Sequence, residues 1–395
     1  MNVKFSTKFV AASAAAVMAL SLAGCSGGSM DDSSSSSAKA SGDSITIGTV
    51  TTNSGTAAAY GEAEVKGFEL AVSEINAKGG INGKKVKLES MDDKGDATEA
   101  SNAYNKLAGD NNVLAVAGPT ISATTAAVAP LADQSKLVTI APAATSDSIE
   151  TGNYLFRTCF KDSYQGEVAA RFAAENLKVK KVAVLYGTGD PYSSGVGKAF
   201  AAAAKKAGLD VVAEENSSSA DDTEYSAQLQ KIQASGAELL YAPYYYSVAG
   251  PYIIPQARSV GFEGYVMGPD GYDGLKLTGD KSQYNKTYYT THYSADDNTN
   301  TKVQDFIKSY KSKNNAEPNT FAALGYDTIY MIKQAIEKAG ENATREDVRN
   351  AVAGMTFDGV TGKFTMDKSG SPTKSVTVLE MKDGKPVYNT TVQPK

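Results

Sequence analysis

The chain has 395 residues, with 39 Lys and Arg against 44 Asp and Glu, one His and a formal charge of −5. This mild acidity argues against nucleic-acid binding, which wants a basic face. One His and two Cys cannot supply a Cys/His zinc or iron cluster, and the length suggests two or so domains.

The first element is a targeting segment. "MNVKFSTKF" carries Lys4 and Lys8, and "VAASAAAVMALSLAG" is an apolar run too short to span a membrane comfortably. It ends in "LAGC", which matches a bacterial lipoprotein lipobox, so residues 1–24 are expected to be removed and Cys25 lipidated. The mature chain would then hold 371 residues with a charge of −7, because the segment carries two Lys and no acid. "SGGSMDDSSSSSAKASGD" follows; at this density of Gly, Ser and Asp, residues 25–42 read as a flexible tether. Only Cys159 remains, so no intrachain disulfide is possible; in "YLFRTCF" it reads as a core thiol.

From residue 43 strands and helices alternate. "SITIGTV" is a strand, and "GEAEVKGFELAVSEINAKGG" a helix with Val65, Phe68, Val72 and Ile75 along one face. "KKVKLESMD", "VLAVAG" and "LVTIAP" are strands, with "DATEASNAYNKLAGD" and "SATTAAVAPLADQSK" as helices between them. The rhythm resumes with a helix from Tyr164 to Leu177, then "KKVAVLYG", "SSGVGKAFAAAAKKAG", "LDVVAEE", "DTEYSAQLQKIQASG", "AELLYAPYY", a helix over 247–260 and "GYVMGPD". A long helix over 319–340 carries Phe321, Gly325, Thr328, Ile332, Ala335 and Ala339 on one stripe, before short strands and turns. Two runs of βα units predict an α/β protein of two doubly wound parallel sheets. Ligands of such sheets bind at the carboxyl ends of the strands. The loops "GPTISATT", "APAATS", "YGTGDPY", "YAPYYYS" and "GPDGYDG" all lie at those ends.

The chemistry of these loops is that of binding. His292 has no Cys near it in sequence, no G-x-S-x-G motif is present, and "DDKGDATEA" lacks an EF-hand's spacing and distal Glu. "SSGVGKAF" resembles part of a phosphate loop, but Tyr192 and Ala199 stand where Gly and Ser/Thr are needed. The chain therefore reads as a non-enzyme without cofactor or metal. Hydroxyls, main-chain groups, aromatics and one acid remain, which suit a zwitterion. Ser122 reads as the N-cap of a helix whose free N–H groups can receive a carboxylate. The Ala143 carbonyl, the Thr145 hydroxyl and Asp270 suit an ammonium, since a charge taken out of water needs a partner. Tyr60, Tyr192, Tyr246 and Phe321 fall in loops or at element starts rather than in apolar stripes.

"NSGTAAAYGEAEVKGFELAVSEINAKGGINGKKVKL", "TIAPAATS", "FRTCFKDSYQG", "QARSVGFEGYVMGPDG" and "FAALGYDTIYMI" resemble the leucine/isoleucine/valine-binding proteins of ABC transporters, in order across nearly all of residues 43–395. The resemblance implies a type I periplasmic-binding fold: two lobes, 43–160 with 293–370 and 161–292 with 371–395, joined by a three-strand hinge. It implies that Ser122, Ala143 and Thr145 bind the α-carboxylate and α-amino groups and that Asp270 pairs the ammonium. Tyr192 and Tyr246 would close over the ligand, with Tyr60, Phe321, Thr120 and Ile121 walling its side chain. Two departures stand out: Asp270 is one methylene shorter than Glu, and Thr120 adds a hydroxyl to an otherwise apolar wall. The implied partners are a branched-chain amino acid, an ABC permease and, through the lipid anchor, the membrane; a monomer on the outer face of a Gram-positive cell fits this picture. Alternatives are another amino acid, an amide or a small acid as ligand, or a sensory module of the same fold.

Overall fold

The structure, a computed structural model, describes residues 44–149, 152–296 and 300–394. The proposed signal segment, Cys25 and the tether 25–42 lie outside the described residues. The first run of βα units gives β1 (Ser44–Thr51), α1 (Ala58–Ala77), β2 (Lys85–Asp92), α2 (Ala97–Gly109), β3 (Val113–Ala117), α3 (Ser122–Ser135), β4 (Val138–Ala141) and β5 (Leu155–Arg157). Their strands form a parallel sheet in the order β2-β1-β3-β4-β5. Every residue of β3 and β4 is buried, as it must be in a parallel sheet covered on both faces.

The second run gives α4 (Asp162–Glu175), β6 (Lys181–Gly187), α5 (Pro191–Lys206), β7 (Asp210–Ser217), α6 (Ser226–Ala234), β8 (Leu239–Tyr241), α7 (Tyr246–Val248), α8 (Ile254–Ser259), β9 (Tyr265–Gly268) and β10 (Thr287–Thr291). A π-helical stretch, Ala249–Ile253, joins α7 to α8. It contains Pro251, which has no N–H to give to an ordinary helical ladder. The chain then returns to the first sheet with α9 (Thr301–Asn314), α10 (Thr320–Ala339), α11 (Arg345–Val352) and the hairpin β11 (Thr356–Gly359)–β12 (Gly362–Thr365). It ends in β13 (Val376–Lys382) and β14 (Lys385–Val392) on the second sheet, whose order is β14-β13-β10-β9-β8-β6-β7.

The two-sheet α/β architecture matches the expectation, with one difference in detail. β13 runs antiparallel to β10 and β14 antiparallel to β13, so the second sheet is mixed. β5, β10, α9 and α11 had no counterpart in the sequence reading, and "AELLYAPYY" is a strand only over Leu239–Tyr241. "TYYTT" of β10 is buried at every position despite its hydroxyls, so apolar periodicity does not mark it. The chain passes between the sheets three times, from β5 to α4, from β10 to α9 and from β12 to β13.

Helix packing sets the first sheet's contribution to the site. α1 and α10 cross where a Cβ on Gly67 would stand 2.2 Å from the Ala322 carbonyl oxygen and one on Gly325 2.7 Å from that of Glu64. Only glycines allow this approach. It brings Tyr60, in the first turn of α1, against Phe321, in the first turn of α10. Among the described residues, no helix is long and apolar enough to cross a membrane.

Candidate functional site

Both sheets turn their strand carboxyl ends to one cleft. The order reverses between β1 and β3 in the first sheet and between β6 and β8 in the second, and such switch points open crevices for ligands. Four side chains of the cleft sit in the first turns of helices: Tyr60 of α1, Ser122 of α3, Tyr192 of α5 and Phe321 of α10. Local sequence fixes two of these starts. Asp190 caps α5 by accepting from Ser193 N at 2.7 Å, with Pro191 at the first helical position. Asn319 caps α10 by accepting from Ala322 N at 3.0 Å.

Tyr60, Thr120, Ile121, Ser122, Ala143, Tyr192, Asp270 and Phe321 line one cavity together with Tyr245 and Gly271. The cavity is nearly filled. About 20 Å³ is open to the centre of a water molecule, enough for one. A far larger groove lies between α1, α9 and α10, about 740 Å³ by the same measure. Its Lys302 and Lys333 are already paired with Asp358 and Glu337, so volume alone does not locate the functional site.

Asp270 is the electrostatic centre. It is 2 % exposed. Its Oδ1 accepts from Tyr192 OH at 2.8 Å and Gln165 Nε2 at 3.2 Å, and its Oδ2 lies 3.4 Å from His292 Nε2. Burial pushes the His292 imidazole down to about 4, against the pull of Asp270, so it is neutral at pH 7. Every donor on the Asp270 carboxylate is therefore uncharged, and among the described residues no Lys or Arg pairs with it. Phe160 stacks on His292 at 3.8 Å between ring centres and holds the ring in place.

The first sheet supplies the opposite wall. The Ser122 hydroxyl accepts from Ser146 N at 3.1 Å, which leaves its proton for an acceptor. Ile121, not Ser122, occupies the N-cap of α3, and no side chain caps the helix. The first-turn amides of α3 therefore have no intrahelical acceptor. The Thr120 hydroxyl is engaged away from the cavity: it donates to Glu64 Oε2 at 2.6 Å and accepts from Thr52 N at 3.1 Å. Burial, countered by that bond, raises the Glu64 carboxyl well above the usual range. The polarity that Thr120 seemed to bring to an aliphatic wall is thus absorbed behind it.

Aromatic rings close the space. Tyr60 stacks on Phe321 at 3.9 Å, and Tyr192 on Tyr245 at 5.3 Å. Across the cleft, Tyr60 OH donates to the Gly271 carbonyl at 2.5 Å and accepts from Tyr246 N at 2.9 Å. Ser247 Oγ donates to the Thr56 carbonyl at 2.7 Å. The lobes therefore meet directly.

Two of the expected residues lie off the cavity wall. Tyr246 is half-buried at the lobe contact, where its OH accepts from Ala59 N at 3.3 Å; its neighbour Tyr245 takes the wall position, with its OH donating to Asp190 at 3.3 Å. Thr145 is fully buried and does not line the cavity. Its hydroxyl sits beside Asp162 without the geometry of a full hydrogen bond, and Thr145 Oγ1 and Asp162 Oδ2 are both unpartnered among the described residues. Sequence reasoning missed Tyr245, Gln165, Asp162 and the contact of His292 with Asp270. A signal existed for one pair: Asp162 and Gln165 are three apart at the start of a helix and so share a face. Cys159 is a core thiol as expected, donating to the Ala144 carbonyl and pushed up to about 12 by burial. Among the described residues no group of His, Cys, Asp and Glu could hold a metal.

The sequence profile of the periplasmic binding protein family matches residues 44–386. The chain is 30% identical over 348 residues to a Brucella melitensis protein named Leu/Ile/Val-binding protein homolog 3, covering 86% of this chain and 92% of that one. It is 30% identical over 333 residues to the leucine-, isoleucine-, valine-, threonine-, and alanine-binding protein of Pseudomonas aeruginosa, covering 83% and 87%. Among solved structures it is similar to the branched-chain amino acid transporter substrate-binding protein LivJ of Streptococcus pneumoniae in complex with isoleucine, with TM-score 0.82 and 33% identity, covering 89% of this chain and all of that one.

Proposed function

The chain belongs to the periplasmic binding protein family, and from that premise we propose that it is the solute-binding subunit of an ABC importer for leucine, isoleucine or valine. The observation that carries the reading is Asp270: a buried carboxylate on the cavity wall, held only by neutral donors. A buried anion without a cation is costly, and the α-ammonium of an amino acid supplies one. The Ala143 carbonyl adds a second acceptor. The Ser122 hydroxyl and the amides at the start of α3 receive the α-carboxylate. Tyr60, Phe321, Ile121 and Thr120 wall the aliphatic side chain, and Tyr192 and Tyr245 close from the other lobe. The relatives and the isoleucine-bound neighbour support this ligand class.

The lobes have the limits 43–160 with 293–370 and 161–292 with 371–395, and they part to admit the ligand. The present cavity is smaller than any amino acid, so entry requires opening. Ligand favours closure only as far as it binds the closed form better. The closed form is the one a membrane permease recognises. Lipidation at Cys25 holds the monomer at the extracytoplasmic face, as suits a Gram-positive cell.

The test is thermal unfolding of residues 43–395, stripped of bound ligand, against the common L-amino acids. Ligand at about 100 times its Kd stabilises by about 2.7 kcal/mol. Leucine, isoleucine and valine should raise the transition most; no response to any amino acid would sink the reading.

A further inference from the structure

The carboxylate of Asp270 is useful only if its orientation is fixed, because a carboxylate free to rotate offers an ammonium no defined partner. Beside Tyr192 and His292, one fully buried side chain outside the cavity holds both the carboxylate and the backbone of Asp270. Gln165, on the first turn of α4, has a relative exposure of 0 %. Its Nε2 donates to Asp162 Oδ1 at 2.9 Å and to Asp270 Oδ1 at 3.2 Å. Its Oε1 accepts from Asp270 N at 3.3 Å and from Thr290 Oγ1 at 3.1 Å. All four hydrogen-bonding positions of the amide are filled. Its orientation is dictated by chemistry, since Asp270 N can only donate and must therefore meet the amide oxygen.

We propose that Gln165 is the positioning residue of the ammonium site: a neutral bridge that grips both the backbone and the carboxylate of Asp270 and ties them to Asp162 and to the end of β10. Gln165, at the start of α4, and Thr290, at the end of β10, flank two of the three passages between the sheets. The grip on Asp270 is therefore anchored beside the connections between the two sheets. The amide also keeps two carboxylates in one buried network by donating to both. A carboxylate at position 165 has no such donors and would repel them.

The inference rests on Asp270 pairing the ligand's ammonium, and the test separates the two. Affinities for leucine and for its des-amino analogue, which lacks only the ammonium, are measured by calorimetry on the wild type, Gln165→Glu and Thr290→Val. In Gln165→Glu, leucine should weaken at least tenfold while the des-amino analogue changes less than threefold. Thr290→Val removes one bond to Gln165 without touching either carboxylate, and should show the same split at a smaller size. A merely structural role for Gln165 would weaken both ligands alike, and that result overturns the inference, as does leucine binding unchanged in either folded variant. If Gln165→Glu does not fold, Thr290→Val decides alone. Failure of the wild type to prefer leucine over its des-amino analogue would instead overturn the ammonium reading of Asp270.

Discussion

Replacing Asp270 by Asn removes one charge and almost nothing else. The carboxamide oxygen can still accept from Tyr192 OH and Gln165 Nε2, which now hold Asp270 Oδ1 at 2.8 and 3.2 Å. The amide nitrogen would face His292, whose Nδ1 has no partner among the described residues and can take the proton. What is lost is the attraction to the ligand's ammonium. At about 4 Å and an effective dielectric of about 20, that attraction is about 4 kcal/mol, and truncating one side of a buried charge pair costs about 2–5 kcal/mol in measured cases. The expected loss of leucine affinity is therefore about thirtyfold to several thousandfold, read by titration calorimetry. Two companion results separate this from damage. The unliganded variant should be no less stable than the wild type, because a buried unpaired charge has been removed, and the des-amino analogue of leucine should bind no worse. A leucine Kd within threefold of the wild type would refute the argument that this acid pairs the ammonium.

Three further outcomes follow from the geometry. Ile121 and Tyr245 also line a neighbouring interlobe cavity of about 390 Å³, so Tyr245→Ala should join the two and favour methionine and phenylalanine over valine by at least tenfold relative to the wild type in competition binding; an unchanged rank order would count against Tyr245 as the wall. Tyr60→Phe removes the hydroxyl that bonds Gly271 and Tyr246 from across the cleft, two bonds of about 1 kcal/mol net each, so leucine, isoleucine and valine should all weaken about thirtyfold, and a selective loss would contradict a closure role. His292 is lowered in the folded state from an ordinary 6.5 to about 4, so the unfolded chain binds its proton first. Its contribution is intact above pH 6.5 and is lost as the pH falls toward 4, by about 2.5 kcal/mol at pH 4.5. The stability gap between wild type and His292→Gln should shift toward the variant by that amount between pH 7.5 and 4.5, and parallel pH profiles would show that the ring is not held neutral.

The α/β class was legible because a parallel strand covered on both faces must be an apolar run, and "VLAVA" and "VTIA" could be little else. Helix faces were legible for the same reason: Phe68 and Ile75 are buried where the period of α1 places them. Most of the cavity wall was legible too, since Ser122, Ala143, Tyr192 and Asp270 follow directly on strand ends, where the fold class itself puts ligands. Tertiary structure decided what periodicity cannot express. In "YYYS" three successive tyrosines serve three surroundings: Tyr244 packs in the core of the second lobe, Tyr245 lines the cavity, and Tyr246 meets the opposite lobe. Residues in a loop have no fixed repeat, so no count along the chain could assign them. The same holds for the support of Asp270. Gln165 is 105 residues away in sequence and His292 is 22; only the packing of α4 and β10 against the β9 loop brings them to one carboxylate. Sequence named the charge because a charge at a strand end is a local fact. What keeps that charge buried, neutral-handed and ready for a cation is a property of chain segments that meet only in the folded molecule.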